Sequence, residues 1–118
     1  MPMLELTKNE LIVHLKLWEA IAALQKSIRI PLKNIRGATD DDGFLGPALG
    51  FRSPGTNFPG LISAGIYRKH GDRQFVFWTR GTHPVVIELA DEKWDRIILG
   101  VPQARAMAAQ INAAIQQR

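Results

Sequence analysis

The chain has 118 residues, of which 46% are hydrophobic, and its formal net charge is +4 at pH 7. This length fits one domain, residues 1–118, that can bury a core without disulfides or metals. The absence of cysteine excludes disulfides, thiolate catalysis and cysteine-based zinc sites. No apolar run reaches the ~20 residues of a membrane span, and the first residues lack a secretory signal pattern. The sequence therefore predicts a cytoplasmic protein.

The first quarter of the chain predicts strands and one short helix. Residues 4–6 are interpreted as a short strand. In residues 11–17, four apolar side chains alternate with Ile12, His14 and Lys16, which is the period of a half-buried strand. In residues 18–25 this alternation stops, because Trp18, Ile21 and Gln25 recur at helical spacing among good helix formers. We therefore expect a short helix near residues 18–25.

Two further strands are predicted before residue 40. Residues 28–32 alternate again, and Pro31 within them indicates an edge strand or a bulge, because proline cannot donate a ladder hydrogen bond. Residues 34–39 can form the next strand. The run from Asp40 to Gly43 has the composition of a turn.

Residues 43–60 are unusually rich in glycine and proline, with the sequence GFLGPALGFRSPGTNFPG. Proline and glycine disfavour both helix and strand interiors. The segment also contains several large apolar residues, which are rare in disordered linkers. We therefore expect a long ordered loop, and such loops often carry function.

The second half predicts a run of strands and a final helix. Residues 62–68 and 74–79 read as a hairpin that turns at residues 70–72 and is buried largely on both sides. Residues 85–89 and 95–101 predict two more strands. From Ala104 onward, apolar residues follow the i, i+3, i+4, i+7 spacing of an amphipathic helix, with Pro102 at its start.

These elements together predict a mainly β protein of about seven strands followed by one helix. Short connections favour antiparallel neighbours, so we expect a partly open antiparallel barrel with the helix covering an open end or face. The absence of alternating strand and helix patterns argues against a doubly wound nucleotide-binding fold.

Several stretches carry a more specific likeness. They are WEAIAA at residues 18–23, IRIPL at residues 28–32, IR at residues 35–36, FRSPGT at residues 51–56, PG at residues 59–60, GIYR at residues 65–68, VIEL at residues 86–89 and WDRI at residues 94–97. With these stretches the chain resembles an uncharacterised family of small bacterial pleckstrin-homology-like (PH-like) proteins, over roughly residues 4 to 115. The resemblance implies a single PH-like domain and implies no activity, because that fold supports lipid, peptide and protein binders alike.

No catalytic or metal-binding pattern stands out among the polar residues. His14, His70 and His83 lack the i, i+4 spacing of a helical metal site. The aspartates at residues 40–42 lack the spaced ligands of a calcium loop, and no serine lies in a nucleophile elbow. The sequence therefore predicts a protein that is not an enzyme and has no metal or cofactor.

Two groups of residues are candidates for binding. Arg52, together with Phe58, lies in the glycine- and proline-rich segment and could present a fixed guanidinium to an anion. The alternative is that Arg52 caps loop carbonyls or pairs with an acid such as Asp42. Arg68, Lys69 and Arg73 form a basic hairpin tip that could contact anionic lipid headgroups or a nucleic-acid backbone, or that could be a solvated turn.

Three functions follow from these features. The leading hypothesis is a non-enzymatic interaction module that binds a protein partner or copies of itself through an open strand edge near Pro31. The alternative is weak electrostatic binding to an anionic membrane surface. The third is a small-ligand or hydrolytic pocket around Arg52 and Phe58. Nucleic acid is not favoured as a partner, because no motif interleaves the tryptophans with basic residues.

Overall fold

The computed structural model describes residues 3–15, 27–41, 51–58, 62–69 and 71–117; of residues 27, 51–58, 62, 63, 69 and 117 it describes the backbone. The described strands are β1 (Met3–Leu6), β2 (Glu10–His14), β3 (Ser27–Pro31), β4 (Ile35–Asp40), β5 (Phe51–Phe58), β6 (Ile62–Lys69), β7 (Asp72–Thr79), β8 (His83–Leu89) and β9 (Arg96–Val101). A 3-10 turn, Leu32–Asn34, joins β3 to β4, and helix α1 (Ala104–Gln117) follows β9. The prediction of a mainly β protein with one C-terminal helix is confirmed.

The strands form two sheets. One has the order β1-β2-β3, and the other has the order β4-β8-β9-β7-β6-β5. All described neighbours are antiparallel except β7 and β9, which are parallel. Strand β9 lies between β7 and β8. The short connection from β7 to β8 therefore passes the end of β9 and spans the distance between next-nearest strands, about 10 Å.

This arrangement corrects the predicted architecture. The described residues contain nine strands in place of about seven, arranged as two sheets without a closed barrel, and one pair is parallel. Alternation of side chains locates a strand but carries no information about which strand lies beside it. For that reason the parallel pair was not predicted.

The prediction of a loop over residues 43–60 is wrong for residues 51–58, which form strand β5 at one edge of the larger sheet. The register with β6 shifts between Arg52 and Gly55, so Pro54 lies in an irregularity of the ladder. An edge strand with a bulge is the setting that tolerates proline, because no ladder hydrogen bond is required from it. The rest of the predicted loop lies outside the described residues.

Other predicted boundaries differ in smaller ways. The helix predicted near residues 18–25 lies outside the described residues. Strand β2 ends at His14, and Asp40 belongs to β4. Pro102 precedes α1, because the amide of Met107 donates to the carbonyl of Gln103, which makes Gln103 the N-cap.

One core joins both sheets and the helix. Leu11 and Ile30 of the smaller sheet, Phe75 of the larger sheet and Ile111 of α1 belong to the same buried cluster and are at most 1% exposed. On the opposite face of the larger sheet, a second buried cluster includes Val76. Strand β7 is therefore buried on both faces at its centre, as predicted.

Candidate functional site

The structure separates the two residues predicted to share a pocket. Arg52 pairs in register with Tyr67, and Phe58 pairs with Ile62, at opposite ends of β5. Six residues of strand correspond to about 20 Å. The backbone of β5 therefore does not bring Arg52 and Phe58 together.

The three basic residues of the predicted hairpin tip lie at two different register positions of the β6–β7 pair. Arg68 lies directly opposite Arg73, whereas Lys69 lies opposite Asp72. Asp72 accepts a hydrogen bond from Arg96 at 3.1 Å. Arg73 is half-buried. The register therefore places Arg68 opposite a basic residue and Lys69 opposite an acidic one, and Arg73 is not fully exposed.

The predicted open edge over residues 29–39 consists of two strands with different surroundings. Strand β4 is an edge of the larger sheet. At one position along this edge, the side chain of Asn112 on α1 occupies the backbone hydrogen-bonding groups. The amide of Ala38 donates to Asn112 Oδ1 at 2.9 Å, and Asn112 Nδ2 donates to the carbonyl of Ala38 at 2.8 Å. Strand β3 pairs with β2 on one side, and no described strand pairs with its other side.

A groove lies where β3 ends. It has a volume of about 370 Å³ and is lined by Lys8, Asn9, Pro31, Leu32 and Lys33, which we call the basic groove. Pro31 is half-buried and Leu32 is 3% exposed, whereas both lysines are exposed. Neither lysine has a carboxylate partner among the described residues.

Local hydrogen bonds fix both walls of the basic groove. The β1–β2 turn is held by Thr7, whose Oγ1 accepts from the amide of Glu10 at 3.0 Å and whose amide donates to the carbonyl of Glu10 at 2.9 Å. The amide of Leu32 donates to the carbonyl of Asn9 at 2.9 Å and ties the other wall to this turn. The side chain of Glu10 pairs with Arg29 at 3.2 Å, so the acid nearest to Lys8 in sequence is already engaged.

The sequence reasoning did not select the lysines of this groove. Lys8 and Lys33 are 25 positions apart, and only the register of β2 with β3, in which Glu10 lies opposite Pro31, brings their segments together. The local sequence carries no signal for that pairing, because alternation does not determine which strand lies beside which.

A second cavity, of about 260 Å³, lies at the N-terminus of α1. Its lining includes Asp40, His83, Gln103 and Arg105. The guanidinium of Arg105 is 3.8 Å from Asp40, and its side chain is 91% exposed. An exposed pair at this distance contributes little free energy. The cavity therefore lies at an exposed helix end, where the pair formed by Arg105 and Asp40 is weak.

The histidines and acids form no metal site in the described part of the chain, where no three of them lie close enough to share an ion. His14 is exposed and lies 2.8 Å from Glu5, which is a surface pair. No helix among the described residues is both long and apolar enough to span a membrane.

Comparison with protein-family models, curated proteins and solved structures found no match for this chain.

Proposed function

We propose that this protein is a non-enzymatic interaction module that binds an acidic segment of a protein partner in the basic groove. The observation that carries the proposal is the pair of exposed lysines, Lys8 and Lys33, which flank Pro31 and Leu32 without a carboxylate partner among the described residues. A segment that offers carboxylates to the lysines and an apolar side chain to Pro31 complements this surface.

Rigid walls support the same proposal. Thr7 holds the turn that carries Lys8, and the Leu32–Asn9 hydrogen bond holds the opposite wall to it. A site that is ordered before binding loses less conformational entropy when the ligand arrives. No described strand pairs with the outer side of β3, so an extended peptide can continue from the groove along the sheet, by strand addition.

Typical interaction free energies indicate that an acidic segment binds the basic groove weakly and reversibly. Exposed ion pairs contribute about 0.2–1 kcal/mol each, so two lysines mainly select the charge of the partner and speed its arrival. Burial of one apolar side chain adds about 1.5–3 kcal/mol. We expect dissociation constants between about 1 mM and 1 µM.

The test is a titration of the ¹⁵N-labelled protein with a short peptide of alternating glutamate and leucine. We expect saturable amide shifts centred on Lys8, Asn9 and Lys33. The double charge reversal K8E/K33E should weaken binding at least about tenfold, which corresponds to about 1.4 kcal/mol. Arg105→Glu, which reverses one exposed charge at the N-terminus of α1, is the control and should bind like the unchanged protein.

Two results would overturn the proposal. Amide shifts that are scattered over the surface, or that persist in K8E/K33E, would remove the groove as the binding site. Shifts at the groove that depend on protein concentration without peptide, together with a dimer mass, would assign the groove to self-association and not to an acidic partner.

The remaining predictions stay proposals of lower rank. Weak binding to anionic membrane through Arg68, Lys69 and Arg73 is supported by their charge, but Asp72 lies opposite Lys69 and Arg73 is half-buried. The PH-like architecture is supported by the order of strands followed by a helix, while the parallel pairing of β7 with β9 counts against it. A cytoplasmic location also remains a prediction.

A further inference from the structure

Backbone hydrogen bonds in the smaller sheet determine which groups of β3 face its outer edge. In an antiparallel pair, positions that exchange hydrogen bonds alternate with positions whose amide and carbonyl point to the other side of the strand. The amide of Leu32 donates to the carbonyl of Asn9 at 2.9 Å, immediately beyond the last paired residues of β2 and β3. Counted back in steps of two, Ile30 bonds to β2. The amide and carbonyl of Arg29 therefore point away from β2.

The β1–β2 turn leads to the same assignment independently. The amide of Thr7 donates to the carbonyl of Glu10 at 2.9 Å, so the backbone groups of Glu10 face β1. Two residues further, the backbone groups of Ile12 face β1 as well. Ile12 is the residue that lies opposite Arg29. Because Ile12 bonds to β1, it leaves the backbone of Arg29 directed outward.

This outer edge continues into the basic groove. Pro31 follows Arg29 by two residues and lines the groove, so its carbonyl points outward like that of Arg29. Proline has no amide hydrogen, and these two residues therefore offer two acceptors and one donor. No described strand pairs with this side of β3. The side chain of Arg29 is 62% exposed, which shows that solvent reaches the edge.

The edge of β4 has a cover that the edge of β3 lacks in the described part of the chain. On β4, the side chain of Asn112 bonds both backbone groups of Ala38. No described side chain bonds the amide or carbonyl of Arg29, whose guanidinium pairs with Glu10 instead. Backbone groups at an exposed strand edge pair readily with a further strand.

We propose that the acidic partner segment binds as an added strand on β3, through the amide and carbonyl of Arg29 and the carbonyl of Pro31. This inference rests on the function proposed above, because Lys8 and Lys33 select the charge of the same segment. In an added strand only every second amide faces the sheet. The partner segment is therefore extended and has no proline at those positions. Pro31 ends the ladder at the groove and so limits the pairing to a short segment.

The test measures amide hydrogen exchange of the ¹⁵N-labelled protein with the peptide of alternating glutamate and leucine. In the free protein, we expect the Arg29 amide to exchange rapidly and the Ile30 amide, which bonds to β2, to exchange slowly. With peptide at about ten times its dissociation constant, exchange of the Arg29 amide should slow about tenfold, because exchange then occurs from the unbound fraction.

Two N-methylated peptides test the main-chain contact from the partner side. One carries N-methyl groups on two glutamates and the other on two leucines, so the two peptides have the same mass and composition. Since alternate amides of an added strand face opposite sides, one peptide should lose its bonds to β3 and the other should keep them. We expect the first to bind at least about tenfold more weakly, or about 1.4 kcal/mol, and the second to bind like the unmodified peptide.

A variant of β3 tests the same contact from the protein side. Arg29→Pro removes the outward amide hydrogen without removing a bond to β2. Arg29→Ala is the matched control, because it loses the same ion pair with Glu10 but keeps the amide. Arg29→Pro should bind the peptide about three- to tenfold more weakly than Arg29→Ala. Amide spectra check the folded state of both variants, and the exchange and N-methyl measurements do not depend on them.

The outcomes separate this inference from the function proposed above. An Arg29 amide that is protected in the free protein would overturn the inference, because another segment or a second copy would then occupy the edge. A peptide that binds the groove and is lost in K8E/K33E, but leaves Arg29 exchange unchanged, would overturn strand addition and leave the groove as the binding site. Equal binding of both N-methylated peptides would do the same. The absence of any shift at the groove together with unchanged Arg29 exchange would remove both.

Discussion

At the scale of single residues, Arg96 organises the face of the larger sheet that lies away from the main core. Its Nε donates to Glu88 Oε1 at 3.0 Å, its Nη1 to Gln74 Oε1 at 2.8 Å and its Nη2 to Asp72 Oδ2 at 3.1 Å. Gln74 is completely buried. The planar guanidinium bonds three side chains on two strands, Asp72 and Gln74 on β7 and Glu88 on β8, which lysine cannot reproduce.

The protonation of Arg96 is fixed over the usual pH range. Burial by itself lowers the pKa of the guanidinium, but hydrogen bonds and ion pairs with Glu88 and Asp72 outweigh burial, so the pKa lies above its ordinary value. A raised pKa stabilises the fold at every pH below the ordinary value, and this contribution is lost only as the pH rises through the folded-state pKa. The Arg96 contribution is therefore constant except in strongly alkaline solution.

We expect Arg96→Met to lower the free energy of unfolding by about 1–3 kcal/mol, because it removes the hydrogen bond to the buried Gln74. The carboxylates of Asp72 and Glu88 add less, since their side chains are 46% and 40% exposed and regain water. Urea unfolding at pH 7 measures the change. Arg105→Met, at a side chain that is 91% exposed, is the control and should stay within about 0.5 kcal/mol; equal losses in both variants would contradict the role of Arg96.

At the scale of elements, helix α1 stabilises the fold and protects a strand edge. Its apolar side packs on the core through Ala104, Ala108 and Ile111. From the same helix, Asn112 bonds both backbone groups of Ala38 on edge strand β4. An uncovered strand edge is a template for pairing with another chain, so this contact limits association at β4.

We expect Asn112→Ala to lower stability by about 1–3 kcal/mol, since two hydrogen bonds are lost. It should also promote concentration-dependent association, because the Ala38 amide and carbonyl become available to another strand. Urea unfolding and sedimentation measure the two effects. Gln110→Ala on the exposed side of α1 is the control, and a variant of Asn112 that unfolds and sediments like this control would refute the edge contact.

Strand β5 shows where element prediction fails. Proline and glycine gave residues 43–60 the composition of a loop, yet Phe51–Phe58 pair with β6. The tertiary position of β5 at the sheet edge, with a register shift that includes Pro54, accommodates the residues that local propensity rejects. Strands β2 and β3, by contrast, were predicted to within a few residues from their alternation, and the strands expected at residues 4–6 and 34–39 correspond to β1 and β4.

At the scale of the whole molecule, two separate sheets share one core. Ile30 on β3 and Phe77 on β7 belong to the same buried cluster, although their strands are in different sheets. A shared core couples the stability of both sheets, so unfolding should be a single cooperative transition.

We expect Ile30→Ala, at a position 1% exposed, to lower stability by about 2–5 kcal/mol. The loss should appear equally in tryptophan fluorescence, which includes Trp94 beside the larger sheet, and in far-ultraviolet circular dichroism. Lys33→Ala, at an exposed position, is the control. Fluorescence and circular dichroism midpoints that separate in Ile30→Ala would show that the smaller sheet unfolds independently.

The candidate sites were only partly predictable. Composition and spacing selected Arg73 as a possible anion contact, and the structure adds that its Nε is buried without a described acceptor. The indole nitrogen of Trp94 is buried without an acceptor among the described residues, and this could not be predicted because it depends on every atom around the ring. The basic groove was missed because its two lysines meet only through the pairing of β2 with β3.

The sequence by itself determined the class of the protein: mainly β, with one amphipathic C-terminal helix and without disulfides. These properties follow from side-chain periodicity and composition, which act locally along the chain. The tertiary structure alone decided that β9 lies between β7 and β8, that β5 is a strand, and that Asn112 covers β4. Those outcomes depend on contacts between segments that are distant in sequence, and local sequence patterns do not encode such contacts.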